Sequence, residues 1–485
     1  QVRSKTRTVI FKIDCMKKRN IHIITIAAGI LLFTACNKSL DLVPEDTMTE
    51  QTALKDQKTA EATLGDAYVK LYEACKADAY VMGDLSTGMS SNFSGTDNVY
   101  YTGAIDPRDQ NYNTFWENNY KTINLANVII NKLPAAGKFD EALKKQYIAE
   151  AKIIRAYCYS NLIKIYGDGA LEGKLANMGV PLRLEGYDGY DGSQNIPRNT
   201  NEEVYAQIFT DIDKAIPALP NDFGTDVATR SRATKGAANA LGARVAMYVK
   251  DNDKAIAYCT NVLDNSTYAL TASILDVFPD NTSSTDKIAM AIPELIMAFP
   301  VSWNNNPYDN HGIYYYDGYT FPSDDFLATY DAKDIRATTF LINGAPWSVH
   351  KTALKFSNSL NRDNLVAIRL AEIVLTKAEA LTNENDVNQE AVDLLNSIHQ
   401  RSFAVDDRPA PFTMASFADK QQLLNAILQE RRWELAFEGF DRFDYIRTGG
   451  KPNPVIPADK YALPIPYSET AITGKLIKQN PGYPN

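Results

Sequence analysis

The chain has 485 residues, 45% of them apolar and 22% charged, an ordinary globular balance that excludes global disorder and collagen-like repeats. The formal net charge is −9, but residues 1–35 hold seven bases and one acid, so the remainder carries 43 basic and 58 acidic residues, or −15. A body this acidic lacks the Lys/Arg clusters that phosphate contacts need, which excludes nucleic acid as a partner; five Cys make no disulfide scaffold, and four His leave little for metal chemistry.

In chain order, residues 1–15 read as an extension upstream of a start at Met16. Lys17, Lys18 and Arg19 then precede a mostly apolar run, Ile21 to Phe33, too short to span a bilayer as an ordinary helix. Leu32-Phe33-Thr34-Ala35-Cys36 closes that run with small residues directly before a cysteine, the pattern of a bacterial lipobox. Residues 1–35 are therefore expected to be removed, leaving Cys36 as the lipid-bearing N-terminus, with an ordinary secretory signal as the alternative. Residues 36–46 read as a polar tether. Of the remaining cysteines, Cys75, Cys158 and Cys259 are odd in number and cannot all pair; Cys158 and Cys259 fall in helical patterns and read as buried small hydrophobes.

Helical periodicity then recurs at 47–75, 111–133, 140–166, 201–216, 233–250, 253–264, 364–382, 388–402 and 418–439, and no alternating run suggests a sheet domain, so the fold class is mainly α. In 140–166, Ile148, Ala151, Cys158, Leu162 and Ile165 form a seam that Arg155 shares, and a buried Arg there requires a carboxylate or carbonyl partner. In 233–250, Ala237, Ala238, Ala240, Gly242, Ala243 and Ala246 make a surface that another helix can approach closely. The short helix pairs read as tetratricopeptide-type units of degenerate spacing. Trp116 and Trp433, inside helical motifs, read as core. Two long polar and aromatic loops interrupt the helices, at 86–110 and 301–322, and loops of that length are often functional. Residues 450–485, with seven prolines, read as an extended wrap.

The ordered motifs resemble the SusD/RagB family of outer-membrane lipoproteins of Bacteroidetes. They are the lipobox at Cys36; Arg155-Ala156-Tyr157 through Ile165-Tyr166-Gly167-Asp168; Gly179-Val180-Pro181-Leu182; Ile196-Pro197-Arg198; and Ala233-Thr234-Lys235-Gly236. Arg369-Leu370-Ala371-Glu372, Leu395 to Arg401, Glu430-Arg431-Arg432-Trp433-Glu434 through Gly439, Arg442-Phe443-Asp444, Leu463-Pro464-Ile465-Pro466 and Asn480-Pro481-Gly482-Tyr483 complete the set. The resemblance implies a tetratricopeptide-like α–α scaffold with loop-rich insertions, its N-terminal region at 47–285 and its C-terminal region at 286–485 in one globule. It implies no catalysis and no cofactor. It implies surface exposure at the outer membrane, capture of a glycan or in some members a peptide, and a SusC-like TonB-dependent transporter as partner, with the ligand held by loops.

Among the residues that carry chemistry, the aromatic loops fit such a ligand best. A sugar ring packs its C–H face on an aromatic ring while amides and carboxylates take its hydroxyls. Asn92, Phe93, Asn98, Tyr100 and Tyr101 supply that mixture in the first loop, and Trp303, Asn305, Tyr308, Tyr314, Tyr316 and Tyr319 in the second. Glu430, Glu434 and Glu438, spaced four apart, read as an ion network with Arg431, Arg432 and Arg442. The rival reading is a glycoside hydrolase using Glu430 and Glu434, which needs two carboxyls about 5–10 Å apart across a sugar. No HExxH, paired CxxC or GxxxxGK motif is present, no His sits in a nucleophile motif, and Asp188 to Gly192 lacks the spacing of a calcium loop and reads as a turn.

Overall fold

The computed structural model describes residues 54–75, 78–92, 98–136, 139–187, 192–278, 291–300, 320–339, 341–343, 351–353, 355 and 364–484. The described elements, in chain order, begin with α1 (Gln57–Ala74), α2 (Asp78–Thr87), β1 (Ser90–Asn92), α3 (Val99–Thr102), α4 (Gln110–Lys132) and α5 (Glu141–Tyr166). α6 (Asn201–Ala215), α7 (Asp226–Ser231), α8 (Lys235–Tyr248) and α9 (Asn252–Leu263) follow. Then come β2 (Leu295–Phe299), β3 (Thr320–Pro322), α10 (Asp324–Leu327), α11 (Ile335–Thr339), β4 (Leu341–Asn343), β5 (Lys351–Ala353) and β6 (Leu365–Arg369). The C-terminal part carries α12 (Leu370–Glu384), α13 (Gln389–His399), α14 (Lys420–Glu434), α15 (Asp441–Arg447) and α16 (Tyr467–Ile472). Leu54–Asn485 makes one contact unit.

The long helices pack as a continuous series: α1 on α4, α4 on α5, α5 on α6, α8 on α9, α9 on α12, and α12 on both α13 and α14. Side-chain caps start most of them. The Asp56 carboxylate accepts from Thr59 N–H at α1, and Thr200 and Glu203 form a reciprocal capping box at α6. The small-residue surface of α8 has the use its sequence suggests. A Cβ on Gly242 would stand 2.8 Å from the Tyr258 ring of α9, and one on Gly236 would stand 2.2 Å from Tyr268. Only glycine lets those two rings lie against the helix backbone.

Buried ion pairs tie successive helices together. Arg155 on α5 meets Asp211 on α6 at 2.6 Å and donates to Asn127 Oδ1 on α4, so the seam arginine has the partner it requires. Arg244 on α8 meets Glu372 on α12 at 2.6 Å. Cys158 and Cys259 are fully buried free thiols, as is Cys75, and burial pushes the Cys75 thiol up to about 12, which makes it inert. Trp116 is fully buried, in contact with Tyr120 and Tyr166. Trp433 is only half-buried: it stacks near Tyr330 and its indole N–H donates to Thr329 Oγ1.

Three boundaries differ from the periodicity: the first helix starts at Gln57, behind its Asp56 cap, and not at 47, and two further differences lie in the C-terminal half. Residues 365–369 are a strand, not the first turn of a helix. β6 pairs antiparallel with β2, and all ten side chains of the two strands are buried. The run Leu-Val-Ala-Ile-Arg is short, apolar and partly β-branched, a pattern that fits either a buried strand or a helix. The helix of 418–439 ends at Glu434, because Phe437 and Gly439 take φ of +65° and +79° in the turn that follows. The C-terminal wrap closes the end of α5. Leu463 N–H donates to Ile165 O, and Asn480 and Arg198 both donate to Tyr166 O, satisfying carbonyls the helix itself leaves open.

Candidate functional site

The two loops singled out by their composition are joined at their bases. β1 and β3 pair antiparallel, with Ser90 opposite Pro322, Ser91 opposite Phe321 and Asn92 opposite Thr320. Opposed residues in such a ladder have Cα atoms about 4.5–5.5 Å apart. Asn92 is the residue before Phe93, and Thr320 is the residue after Tyr319. The attachment points of two stretches more than two hundred residues apart therefore face each other across one ladder.

The base is fastened on both sides. Ser323 N–H donates to Met89 O at 3.0 Å, and its hydroxyl donates to Gly88 O at 2.6 Å. The same Ser323 caps α10 by accepting from Phe326 N–H. Asn453, 4% exposed, reaches in from the C-terminal segment. Its amide donates to Ser86 O and Tyr101 O, while its Oδ1 accepts from the N–H groups of Val455 and Ile456. One side chain thereby links the end of α2, the end of α3 and its own turn.

The described candidates build this base. Asn92 is half-buried in β1. Asn98 is 8% exposed and caps α3, its Oδ1 accepting from Tyr101 N–H at 2.8 Å. Tyr100 packs against the cluster of Leu85, Met89, Phe326, Ala436 and Phe437. Tyr101 is half-buried, and its ring lies 3.5 Å from where a Cβ on Gly88 would stand. Phe93, Trp303, Asn305, Tyr308, Tyr314, Tyr316 and Tyr319 lie outside the described residues, as does Cys36. Thr320, Ser323 and Asn453 escaped the reading of the sequence. Asn453 had a signal: it stands between Pro452 and Pro454, a turn context in which an Asn side chain bonds nearby backbone.

The glutamates form a different structure. Glu430 and Glu434 lie on α14, but Glu438 lies beyond its end, so the three do not share a helix as their spacing suggests. All three are buried, at 2%, 0% and 4% exposure. The partners expected for them were Arg431, Arg432 and Arg442. Those arginines go elsewhere: Arg431 to Asp444 at 2.8 Å, Arg432 to Asp441 at 2.9 Å, and Arg442 to the carbonyls of Lys460 and Tyr461. The glutamates are paired instead by cations distant in sequence. Arg369 is the centre: it meets Glu294 at 2.9 Å, Glu434 at 2.7 Å and Glu438 at 2.8 Å. Arg401 joins Glu294 to Glu434, Arg336 joins Asp334 to Glu430 and Glu434, Lys355 meets Glu438, and His399 Nδ1 lies 2.8 Å from Glu430. The partners differ because α14 is amphipathic: Arg431 and Arg432 turn with the helix toward α15, while positions 430 and 434 face β6, α11 and α13.

Burial pushes the Glu434 carboxyl up, but Arg401, Arg369 and Arg336 outweigh it and hold the group below the ordinary carboxylate range. Glu430 and Glu438 are likewise lowered against burial, by Arg336 and by Arg369 with Lys355. A glycosidase acid needs the opposite, a raised carboxyl beside an open cleft. These carboxylates are enclosed and fully engaged, so they hold the fold together. Among the described residues, no group of three or more His, Cys, Asp or Glu is placed to hold a metal ion. No helix among them is long and apolar enough to cross a membrane.

Comparison with known proteins follows the same lines. Residues 38–247 match a SusD-like family model described as starch-binding associating with outer membrane, and residues 327–454 match the SusD family model. SusD-like protein P38 of Formosa agariphila is 24% identical over 492 residues, covering 89% of this chain and 92% of that protein. The crystal structure of a SusD superfamily protein from Bacteroides thetaiotaomicron superposes with a TM-score of 0.74 at 22% identity, covering 88% of this chain and all of that one. A SusD-like carbohydrate binding protein from Bacteroides vulgatus superposes with a TM-score of 0.66 at 20% identity, covering 82% and 84%.

Proposed function

The chain belongs to the SusD/RagB family, and on that premise we propose that it is a lipid-anchored surface protein that binds an oligosaccharide and passes it to a TonB-dependent outer-membrane transporter. The observation that carries this reading is the β1–β3 ladder, which sets the bases of both aromatic loops opposite each other. A glycan spans several rings, and two loops anchored side by side bring aromatic and amide side chains within reach of one such ligand. The family description as starch-binding and the naming of the Bacteroides vulgatus relative as a carbohydrate binding protein support the choice of ligand. The enclosed glutamate network supports a role without hydrolysis, and the lipobox at Cys36 supports the anchor.

The test is electrophoresis of the purified protein through gels loaded with a panel of polysaccharides, beside a Tyr314→Ala/Tyr316→Ala variant. Retardation by one glycan, abolished in the variant, is the expected result. Uniform mobility in every gel, with a peptide pool captured instead, would replace the glycan by a peptide cargo.

A further inference from the structure

A small cavity of about 30 Å³ lies where α5, α8, β6 and the turn before α15 meet. Holding one water takes about 10–15 Å³, so the space suits a pair of waters or one small ion. Lys164 of α5 and Arg244 and Tyr248 of α8 line it, together with Glu438 and the rings of Phe440 and Phe443.

Three of these residues are charged, and two of them are already matched. Arg244 meets both carboxylate oxygens of Glu372 at 2.6 Å, and Glu438 meets Arg369 at 2.8 Å and Lys355 at 2.6 Å. Lys164 is the exception. Its Nζ lies 4.9 Å from the centroid of the Phe443 ring and makes no hydrogen bond or ion pair with another described residue. An aromatic face attracts a cation but brings no charge to neutralise it. Lys164 is half-buried, and its Nζ is not sealed from solvent. Burial, and after it the charge of Arg244, pulls the ammonium down to about 8, which still leaves it protonated at neutral pH. Tyr248 is 4% exposed, and its hydroxyl has no described hydrogen-bond partner either.

An unmatched positive charge and a second open donor thus belong to the wall of a space of ionic size. Waters there would hydrate the ammonium but leave its charge unbalanced inside the fold, where the pull on an anion is stronger than in open water. A sugar phosphate or a carboxylate ligand exceeds the volume. We propose that this cavity binds one chloride-sized anion, held by the Lys164 ammonium. The anion completes the pairing of charges between α5 and the turn that leads into α15.

Two measurements on the purified protein test this. The first is a crystal structure in sodium bromide, whose anomalous scattering marks the ion. The expected result is a bromide peak within hydrogen-bond reach of Lys164 Nζ, absent in Lys164→Met. The second is thermal unfolding at fixed ionic strength, with sodium chloride exchanged for sodium gluconate, an anion too large for the cavity. The midpoint is expected to rise with chloride along a saturating curve, and Lys164→Met is expected to unfold alike in both salts. No bromide at Lys164 overturns the proposal, and so does a chloride effect of equal size in Lys164→Met. A bromide peak without a chloride-dependent midpoint is binding at crystal concentration only and overturns it too. Where Lys164→Met does not fold, the bromide map and the salt exchange on the unaltered protein decide.

Discussion

Between α5 and α6, Arg155 and Asp211 meet at 2.6 Å with both side chains buried, and around Arg369 three glutamates converge on one guanidinium. At the β1–β3 ladder the described contacts come from three residue pairs, Ser323 and Asn453, all uncharged. The two regions serve different needs. A buried ion pair adds little net stability over an apolar replacement, but removing one partner leaves the other charged and enclosed, so the geometry tolerates little change. A short ladder of neutral bonds opens at lower cost, and elements that hold ligands are commonly drawn from the less stable parts of a fold. The helical body is thus held by buried charge, and the loop base by a small set of buried neutral hydrogen bonds.

Removing the Arg369 guanidinium breaks that arrangement most severely. Arg369→Ala leaves Glu294, Glu434 and Glu438 short of a cation and is expected to destabilise the protein by about 3–5 kcal/mol in urea unfolding. A loss below about 1 kcal/mol would mean that the network is not what holds β6 to α14. The same network sets the acid limit. Glu430, Glu434 and Glu438 have folded-state values below the ordinary 4.5 of a glutamate, so the stability they contribute is complete above that value and is lost as pH falls through the lowered ones. Asp334 and Asp441, raised by burial, work in the other direction. The unfolding midpoint is therefore expected to hold from neutral pH down to about 5 and to fall progressively below 4.5; a flat midpoint down to pH 3 would contradict the pairing.

Asn453 offers the sharper comparison. Asn453→Ala leaves Ser86 O and Tyr101 O without their donor and undoes the turn at Val455, for an expected loss of about 1–3 kcal/mol. If the loop base is as separable as its chemistry suggests, hydrogen exchange should rise over 86–101 and stay unchanged in α5 and α8. Equal exchange in both would show the two regions to be one cooperative unit.

The helices were legible in the sequence because periodicity and caps are local. Gly242, Arg155 and the buried cysteines could be placed from the residues near them. The partners of Glu434 could not, since Arg369 and Arg401 lie 65 and 33 positions from it. The motifs containing both arginines stood out, but nothing local pairs them. β6 was misread as helix because a five-residue apolar run has no period of its own. The loops stood out by composition alone, and the ladder that joins their bases is a contact between residues some 230 apart, with only three pairs to carry it.

The smallest expected effect falls on Ser323. Its hydroxyl donates to Gly88 O and accepts from Phe326 N–H, joining the first loop's base to the helix that follows the second. Ser323→Ala removes a cap and one bridging bond, a loss of about 1 kcal/mol, while the backbone bond from Ser323 N–H to Met89 O remains. The global unfolding midpoint should shift by no more than that. Retardation in the polysaccharide gel is the sensitive readout, because the two loops lose a shared fixed point, and a weakening of a few-fold is expected at unchanged stability in the helical body. Full retention of glycan affinity in Ser323→Ala, together with its loss in Asn453→Ala, would place the control of loop geometry on the C-terminal segment rather than on the ladder.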